Sequence, residues 1–286
     1  MVVFHNASCV NYHRPGDPER PERITSTVPL LKQRHTSWKW IEPPPATDLQ
    51  LLRAHTLEHL QRVANPEGDF DLDTPAHKGI DTFARSSAGA AIAAAKAALK
   101  GEKAFSLMRP PGHHATRDRA MGFCYFSNIA AASLDALDGG AGKVAIWDFD
   151  AHHGNGTEDI VRDNAAVAFA SIHQSPGYPG TGLRSFERIY NFPVPPYTTR
   201  KAHMQAAEDA LQKLLDFKPD LLLVSAGFDA YVDDPITQMT LEAEDFGTLG
   251  TWLAEIKIPM AAILEGGYSD DLPELIDAFL TNWMGL

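Results

Sequence analysis

The segment 148–155, which reads Asp-Phe-Asp-Ala-His-His-Gly-Asn and follows the apolar stretch 143–147, constrains this chain most strongly. Side chains two apart in an extended segment point the same way, so Asp150 and His152 can approach one metal ion together. A mononuclear catalytic zinc site uses three protein ligands, and Asp234, beyond the apolar run 221–224, is the candidate third. Taken alone, Asp-x-His is as often a polar turn.

Two further polar segments each follow a predicted strand. Residues 109–115, which include His113 and His114, follow the stretch 104–108, and residues 265–268, which end at Tyr268, follow 260–264. Ligands of an open α/β sheet bind outside the carboxyl ends of its strands, so all four segments should meet there. Paired imidazoles can exchange protons with water and a leaving group, and a phenol can donate a hydrogen bond to an oxyanion.

These four segments, in this order and spacing, resemble the zinc-dependent histone deacetylase and acetylpolyamine amidohydrolase family, which has the arginase-deacetylase fold. The resemblance extends from residues 18–23 to Tyr268 and the final helix. It implies an α/β fold in which a mostly parallel β-sheet is sandwiched between helices, with residues 1–286 forming a single deacetylase catalytic domain. The implied activity is hydrolysis of acetyl or acyl amides of the lysine ε-amine in peptides or proteins, with acetylated polyamines as the alternative substrate.

The resemblance also assigns roles to individual residues. The catalytic zinc ligands are Asp150, His152 and Asp234. The catalytic residues are His113 and His114, backed by Asp148 and Asn155 respectively, and the transition-state tyrosine Tyr268. A structural potassium ion would be bound by Asp148, Asp150, His152, Ser171 and Ile172. The substrate tunnel would be formed by Gly122, Phe123, Tyr178 and Gly267, with Asp73 at its rim.

Three positions depart from the common family pattern. Asn155 stands where part of the family has aspartate, so His114 should be easier to keep neutral, which favours a general base role. Tyr178 replaces the more usual phenylalanine and adds a hydroxyl at the rim. Asp233 precedes Asp234 where the family often has glycine, which adds a second carboxylate near the metal.

Two other functions are compatible with parts of this pattern. Arginase-like hydrolases use two metals and the motif Asp-x-His-x-Asp, but Gly154 occupies the position of the last carboxylate here. A catalytically silent acyl-lysine or metal-binding module would be suggested by loss of Tyr268 or of the histidine pair, and both are present. A one-metal hydrolase is therefore favoured. The resemblance implies zinc, although one histidine and two carboxylates would also accept iron or cobalt.

The substrate is harder to predict. Acetylpolyamine amidohydrolases tend to have a long insertion after the strand that ends near 172–173, whereas a short loop leads here from His173 to Gly182. A short loop favours an open mouth and a peptide substrate. The acidic segment 68–75 could hold either a substrate backbone amide or a cationic polyamine, and Asp73 is its candidate contact.

Composition agrees with one large α/β enzyme domain, since the 286 residues are 44% hydrophobic. The net charge of -12 argues against nucleic acid as a partner and favours a cationic substrate. Cys9 and Cys124 have no paired spacing, and no signal peptide or membrane span is evident, so we expect a cytoplasmic protein. The oligomeric state is not predicted.

Helices are predicted at 84–99, 127–138, 203–217, 243–256 and 270–284, and strands at 104–108, 143–148, 166–172, 220–225 and 260–264. Loops are predicted at 43–45 and 193–199. His55 and His59 are four residues apart and could share a helical face as metal ligands. A structural role is favoured because no third ligand is nearby.

Overall fold

A computed structural model describes residues 1–286. Eight strands form one sheet in the order β2-β1-β3-β8-β7-β4-β5-β6, and every neighbouring pair is parallel. The strands are β1 (Val2–Phe4), β2 (Lys39–Ile41), β3 (Ala104–Ser106), β4 (Val144–Asp148), β5 (Val167–Gln174), β6 (Ile189–Val194), β7 (Leu221–Ala226) and β8 (Met260–Leu264). The central strands are apolar runs buried throughout, as a parallel sheet covered on both faces requires.

Ten helices and one 3₁₀ turn, Ala7–Val10, connect these strands. The helices are α1 (Glu22–Thr25), α2 (Thr27–Arg34), α3 (Asp48–Leu51), α4 (Leu57–Ala64), α5 (Ile80–Ala98), α6 (Asn128–Asp138), α7 (Asn155–Val161), α8 (Arg200–Asp216), α9 (Ala243–Glu255) and α10 (Leu272–Met284). Helix α5 packs on α6, β3 and β8, α8 packs on β4 and β5, and α9 packs on α10. The chain is therefore a single α/β domain with the expected mostly parallel sheet, which is in fact parallel throughout.

All five predicted strands and all five predicted helices are present, with ends shifted by a few residues. The predicted loop at 193–199 is wrong at its start, because β6 continues to Val194 through Pro193. Strand β6 lies at the edge of the sheet, where a residue without an N–H costs little. No helix combines the length and the apolar character that crossing a membrane requires.

The sheet register sets the position of the polar segments. Asp148, the last residue of β4, is level with Ser171 of β5 on one side and Ser225 of β7 on the other. The segments after β3, β4, β7 and β8 therefore leave the sheet at one edge. The polar segments that carry the predicted site residues therefore lie together at that edge.

Candidate active site

The segments after β4 and β7 bring together three residues that could hold a metal ion. Ligand atoms of Asp150, His152 and Asp229 all lie within 4.8 Å of one another. Nδ1 of His152 is 2.7 Å from Oδ2 of Asp229 and 3.2 Å from Oδ1 of Asp150. Asp150 and His152 were predicted to act together. Asp229 was missed, although it lies in the same polar segment as the predicted Asp234.

Asp234 lies beside this group but outside it. Its Oδ1 accepts a hydrogen bond from the N–H of Ile236 at 3.0 Å, and its Oδ2 accepts one from the N–H of Tyr268 at 2.8 Å. Burial and the neighbouring Asp229 raise the pKa of Asp234 to about 7. Asp234 is therefore placed at the site, while its assignment as the third zinc ligand stays a prediction.

The residues at this edge fit a divalent cation. Burial and the charge of Asp150 raise the pKa of Asp229, and Asp229 in turn raises that of Asp234. Such mutual repulsion between buried carboxylates is what a bound dication offsets. Carboxylate oxygens and an imidazole nitrogen suit zinc, and they also suit iron or cobalt.

Two glycines allow the backbone to approach the Asp150 carboxylate closely. A Cβ on Gly227 would lie 1.9 Å from Oδ2 of Asp150, and one on Gly266 would lie 2.6 Å from the same atom. The N–H of Gly266 donates to that oxygen at 2.8 Å. The backbone just after β7 and just after β8 therefore packs directly against the Asp150 carboxylate, with no side chain between them.

His113 and His114 have different partners. Nδ1 of His113 donates to Oδ2 of Asp148 at 3.0 Å. Burial alone would lower the pKa of His113, but Asp150 and Asp148 raise it to about 10. Nδ1 of His114 donates to the amide oxygen of Asn155 at 2.7 Å. Burial and the charge of His113 hold the pKa of His114 well below its usual value, so its Nε2 retains a free lone pair.

Glu265 hydrogen-bonds to the backbone of the segment that carries the two histidines, a role that was not predicted from the sequence. Its Oε2 accepts hydrogen bonds from the N–H groups of Gly112 and His113, at 2.6 and 3.1 Å. Its Oε1 accepts from the hydroxyl of Ser225 at 3.1 Å. One buried carboxylate therefore fixes the backbone that carries the histidine pair.

Tyr268 is buried beside Asp234. The guanidinium of Arg23 lies 4.9 Å from its ring centroid, and Arg23 also donates to the carbonyl of Gly267 at 2.7 Å. Burial raises the pKa of the Tyr268 phenol well above its usual value, so the phenol keeps its proton. It is therefore a hydrogen-bond donor.

A cavity of about 300 Å³ connects these groups. It is lined by Pro18, Asp73, His114, Gly122, Phe123, His152, Tyr178, Ile236 and Tyr268. Four of the five predicted tunnel residues are among them, and Gly267 is not. Pro18 and Ile236 were not predicted, because an aliphatic residue in a loop carries no chemical signal in a sequence.

The turn that forms one wall is held by the acidic loop. Gly122 and Phe123 both have positive φ angles, 55° and 68°. Asp71 accepts the N–H of Gly122 at 3.2 Å, and Thr74 accepts the N–H of Phe123 at 3.0 Å. Asp71 therefore has a structural role, whereas Asp73 lines the cavity as the predicted rim residue.

The predicted potassium ligands lie on β4 and β5 and in the segment after β4. Asp148 and Ser171 are level in the sheet. Nε2 of His173 contacts the carbonyl of Gly182 at 3.0 Å and must donate there, so Nδ1 of His173 accepts the Ser171 hydroxyl proton at 2.9 Å. The lone pairs of the Ser171 hydroxyl oxygen are thus available to a cation that prefers oxygen ligands, such as potassium. The potassium site itself stays a prediction.

His55 and His59 are structural, as favoured from the sequence. Nδ1 of His55 donates to the carbonyl of Thr116 at 3.0 Å, and its Nε2 accepts the N–H of Ser127 at 2.9 Å. Nε2 of His59 donates to the carbonyl of Tyr125 at 2.7 Å. Both rings therefore bond to backbone, and neither belongs to the metal-ligand group.

Comparison with known proteins agrees with this geometry. The histone deacetylase domain family matches residues 17–282. A probable deacetylase of Archaeoglobus fulgidus is 35% identical over 94% of this chain and 81% of its own length. The HD domain of HDA15 superposes with a TM-score of 0.93 at 29% identity, covering 100% of this chain and 91% of that chain. An acetylpolyamine aminohydrolase from Burkholderia pseudomallei superposes with a TM-score of 0.90 at 28% identity, covering 99% and 98%.

The chain therefore belongs to the histone deacetylase family. Relatives named as deacetylases and amidohydrolases make it a member of a hydrolase family. The arginase-deacetylase fold implied by the family resemblance is confirmed by the two structural matches.

Proposed function

We propose that this protein is a zinc-dependent deacetylase that removes acetyl or acyl groups from the ε-amine of lysine in peptides or proteins, and that residues 1–286 form its catalytic domain. The observation that carries this proposal is the cavity that joins a neutral His114, the metal-ligand residue His152 and the protonated phenol of Tyr268. Its aromatic walls, Phe123 and Tyr178, suit the aliphatic stem of a lysine.

Zinc would be held by Asp150, His152 and Asp234, and when bound it would supply a Lewis acid for polarising an amide carbonyl and acidifying water. His114 accepts the proton of the attacking water at Nε2, since its Nδ1–H is engaged by Asn155. Tyr268 donates its phenolic proton in a hydrogen bond to the developing oxyanion. The histidine pair then returns a proton to the amine leaving group.

The second candidate substrate is an acetylated polyamine. The relative from Burkholderia pseudomallei is named for that activity, and Asp73 at the cavity could pair with a distant ammonium group. The lysine substrate is supported by the connection after β5, which spans 175–188 and adds no helix or strand before β6. Both substrates are cationic, in keeping with the net charge of -12.

Two further proposals accompany this one. Potassium would be held by Asp148, Asp150, His152, Ser171 and Ile172, where the ends of β4 and β5 adjoin the zinc site. A reducing compartment such as the cytoplasm suits the two buried, free cysteines Cys9 and Cys124.

The substrate is tested by measuring kcat/KM for an acetyl-lysine peptide beside acetylputrescine. We expect the peptide to be the better substrate by at least about tenfold, a difference of ~1.4 kcal/mol in transition-state binding. Preference for acetylputrescine would indicate that the substrate is an acetylated polyamine. Turnover of neither would indicate a silent module.

A further inference from the structure

The loop that carries Tyr178 contains a stretch without hydrogen bonds between main-chain groups. Between 176 and 184, no main-chain N–H or C=O is bonded to another main-chain group. Yet the Tyr178 ring lies edge-on to His114, with 5.1 Å between centroids, and 6.3 Å from the His152 ring. Secondary structure cannot hold this aromatic wall, so side chains must.

Four side chains hold the stretch, and each is more than nine-tenths buried. Three of them donate to main-chain carbonyls: Gln174 to Pro176 at 3.3 Å, His173 to Gly182 at 3.0 Å, and Asn191 to Arg184 at 3.1 Å. The fourth, His153, contacts the hydroxyl of Thr181 at 2.8 Å. The attachments are spread along the stretch, on both sides of Tyr178. They therefore restrict the whole loop.

Glu158 of α7 orients two of these side chains. Its Oε2 accepts from Nε2 of His153 at 3.1 Å and from Nδ2 of Asn191 at 2.8 Å. Because Nε2 of His153 faces a carboxylate, Nδ1 is the acceptor for the Thr181 hydroxyl. One carboxylate thus sets the direction of both attachments.

Gly182 is in direct contact with the two imidazoles. Its φ is 74°, and a Cβ there would lie 2.4 Å from Cδ2 of His153 and 2.7 Å from Cε1 of His173. His153 directly follows the metal-ligand residue His152 in the chain. The segment that supplies the site with a ligand is therefore also bonded to the loop that forms its wall.

We propose that His153, His173 and Asn191, with Glu158 behind them, are positioning residues that set the place of Tyr178 and hence the width of the acyl-lysine cavity. This inference rests on the proposed deacetylase function. None of these residues lines the cavity, so each acts through the loop. Their effect belongs to substrate binding and acyl-chain selectivity rather than to the chemical step.

The test replaces Thr181, which is exposed and whose loss should leave the core intact. In Thr181→Val the hydroxyl bonded to His153 is lost. We expect KM for an acetyl-lysine peptide to rise roughly fivefold with kcat changed less than about twofold, as for loss of one hydrogen bond that orders the loop for binding. Discrimination between acetyl and butyryl peptides should fall as well. Thr181→Ser should restore both values.

A second readout does not depend on activity. Trypsin cleavage after the exposed Arg184 should be faster in Thr181→Val than in wild type or Thr181→Ser. The matched control is Thr248→Val, which removes an exposed hydroxyl on α9. Unchanged KM or an unchanged cleavage rate in Thr181→Val would overturn the inference. An inactive wild-type protein would instead refute the proposed function, and the trypsin experiment would still decide whether the loop is held in this way.

Discussion

His113 and His114 are neighbours in the chain, and their different partners shift their pKa values in opposite directions. Two carboxylates lie against His113 and raise its pKa to about 10, whereas His114 faces the uncharged amide of Asn155 and two other imidazoles. A proton acceptor and a protonated partner are thus provided by one pair. The choice of His114 as the base follows from this asymmetry.

Replacing Tyr268 tests the oxyanion donor. Tyr268→Phe keeps the ring but removes the hydroxyl, so we expect kcat to fall by ~10²–10³ with little change in KM, as for loss of one oxyanion donor. Steady-state kinetics would measure this. Tyr197→Phe, at a tyrosine that is 74% exposed, is the matched control and should behave as wild type. A kcat within threefold of wild type would remove Tyr268 from the mechanism.

The third zinc ligand is tested by a pair of variants. The resemblance names Asp234, whereas the geometric group contains Asp229, whose Oδ1 is already engaged by the N–H of Ala151 at 2.7 Å. We expect Asp234→Asn to weaken zinc binding more than Asp229→Asn, since a lost ligand costs more than the ~10–100-fold typical of a supporting residue. Zinc titration with a competing chelator would measure both. The reverse order would assign the position to Asp229.

At the residue scale, chemical type and spacing predicted Asp150, His152, the histidine pair and Tyr268. Asp229 and Glu265 were not predicted, because each acts through a contact made only when distant strands meet. Glu265, for example, bonds to His113, which is 152 residues away. No local pattern contains that contact.

At the scale of elements, the site depends on strand ends that can approach one another closely. Gly227 after β7 leaves no room for a side chain beside Asp150. Gly227→Ala should therefore displace that carboxylate and reduce bound zinc, with a loss of stability of about 1–3 kcal/mol or more from overpacking.

Metal content after dialysis and chemical denaturation would measure these two effects. Gly68→Ala is the control, since no atom lies within 4 Å of its added Cβ. If Gly227→Ala binds zinc as the control does, the close approach is not needed for the site.

Helices and strands were predictable where the sequence has a long apolar run or a long run of small residues. The apolar runs that became β4, β7 and β8 and the small-residue helix α5 are unambiguous. Strands β1 and β2 have three residues each and were missed, because such short segments show no periodicity. Strand β1 pairs with β2 on one side and with β3 on the other, and this pairing is a tertiary effect.

At the scale of the whole molecule, buried neutral histidines make stability depend on pH. Burial lowers the pKa of His203 on α8 to about 4, from 6.5 in the unfolded chain. The unfolded state therefore binds more protons between pH 6.5 and 4, so the stabilisation from a neutral His203 is complete above pH 6.5 and is lost as pH falls toward 4. His55 and His173, with pKa values lowered to about 3, act in the same direction.

A variant isolates this effect from buried carboxylates such as Asp234 and Glu265, whose raised pKa values make stability change with pH in the opposite sense. In His203→Leu, the free energy of unfolding should fall less steeply on acidification than in wild type, by up to ~1.4 kcal/mol per pH unit between about pH 6 and 4. Urea denaturation at pH 7.5, 6 and 5 would measure the difference. Parallel curves for the two proteins would show that His203 is not held neutral.

Metal-dependent amide hydrolysis is the central claim, and the most direct measurement is acetate release from an acetyl-lysine peptide before and after treatment with a chelator. The account predicts that turnover is lost when the metal is removed and returns when one equivalent of zinc is added. Turnover that persists in the metal-free protein, or an absence of turnover with zinc bound, would contradict it.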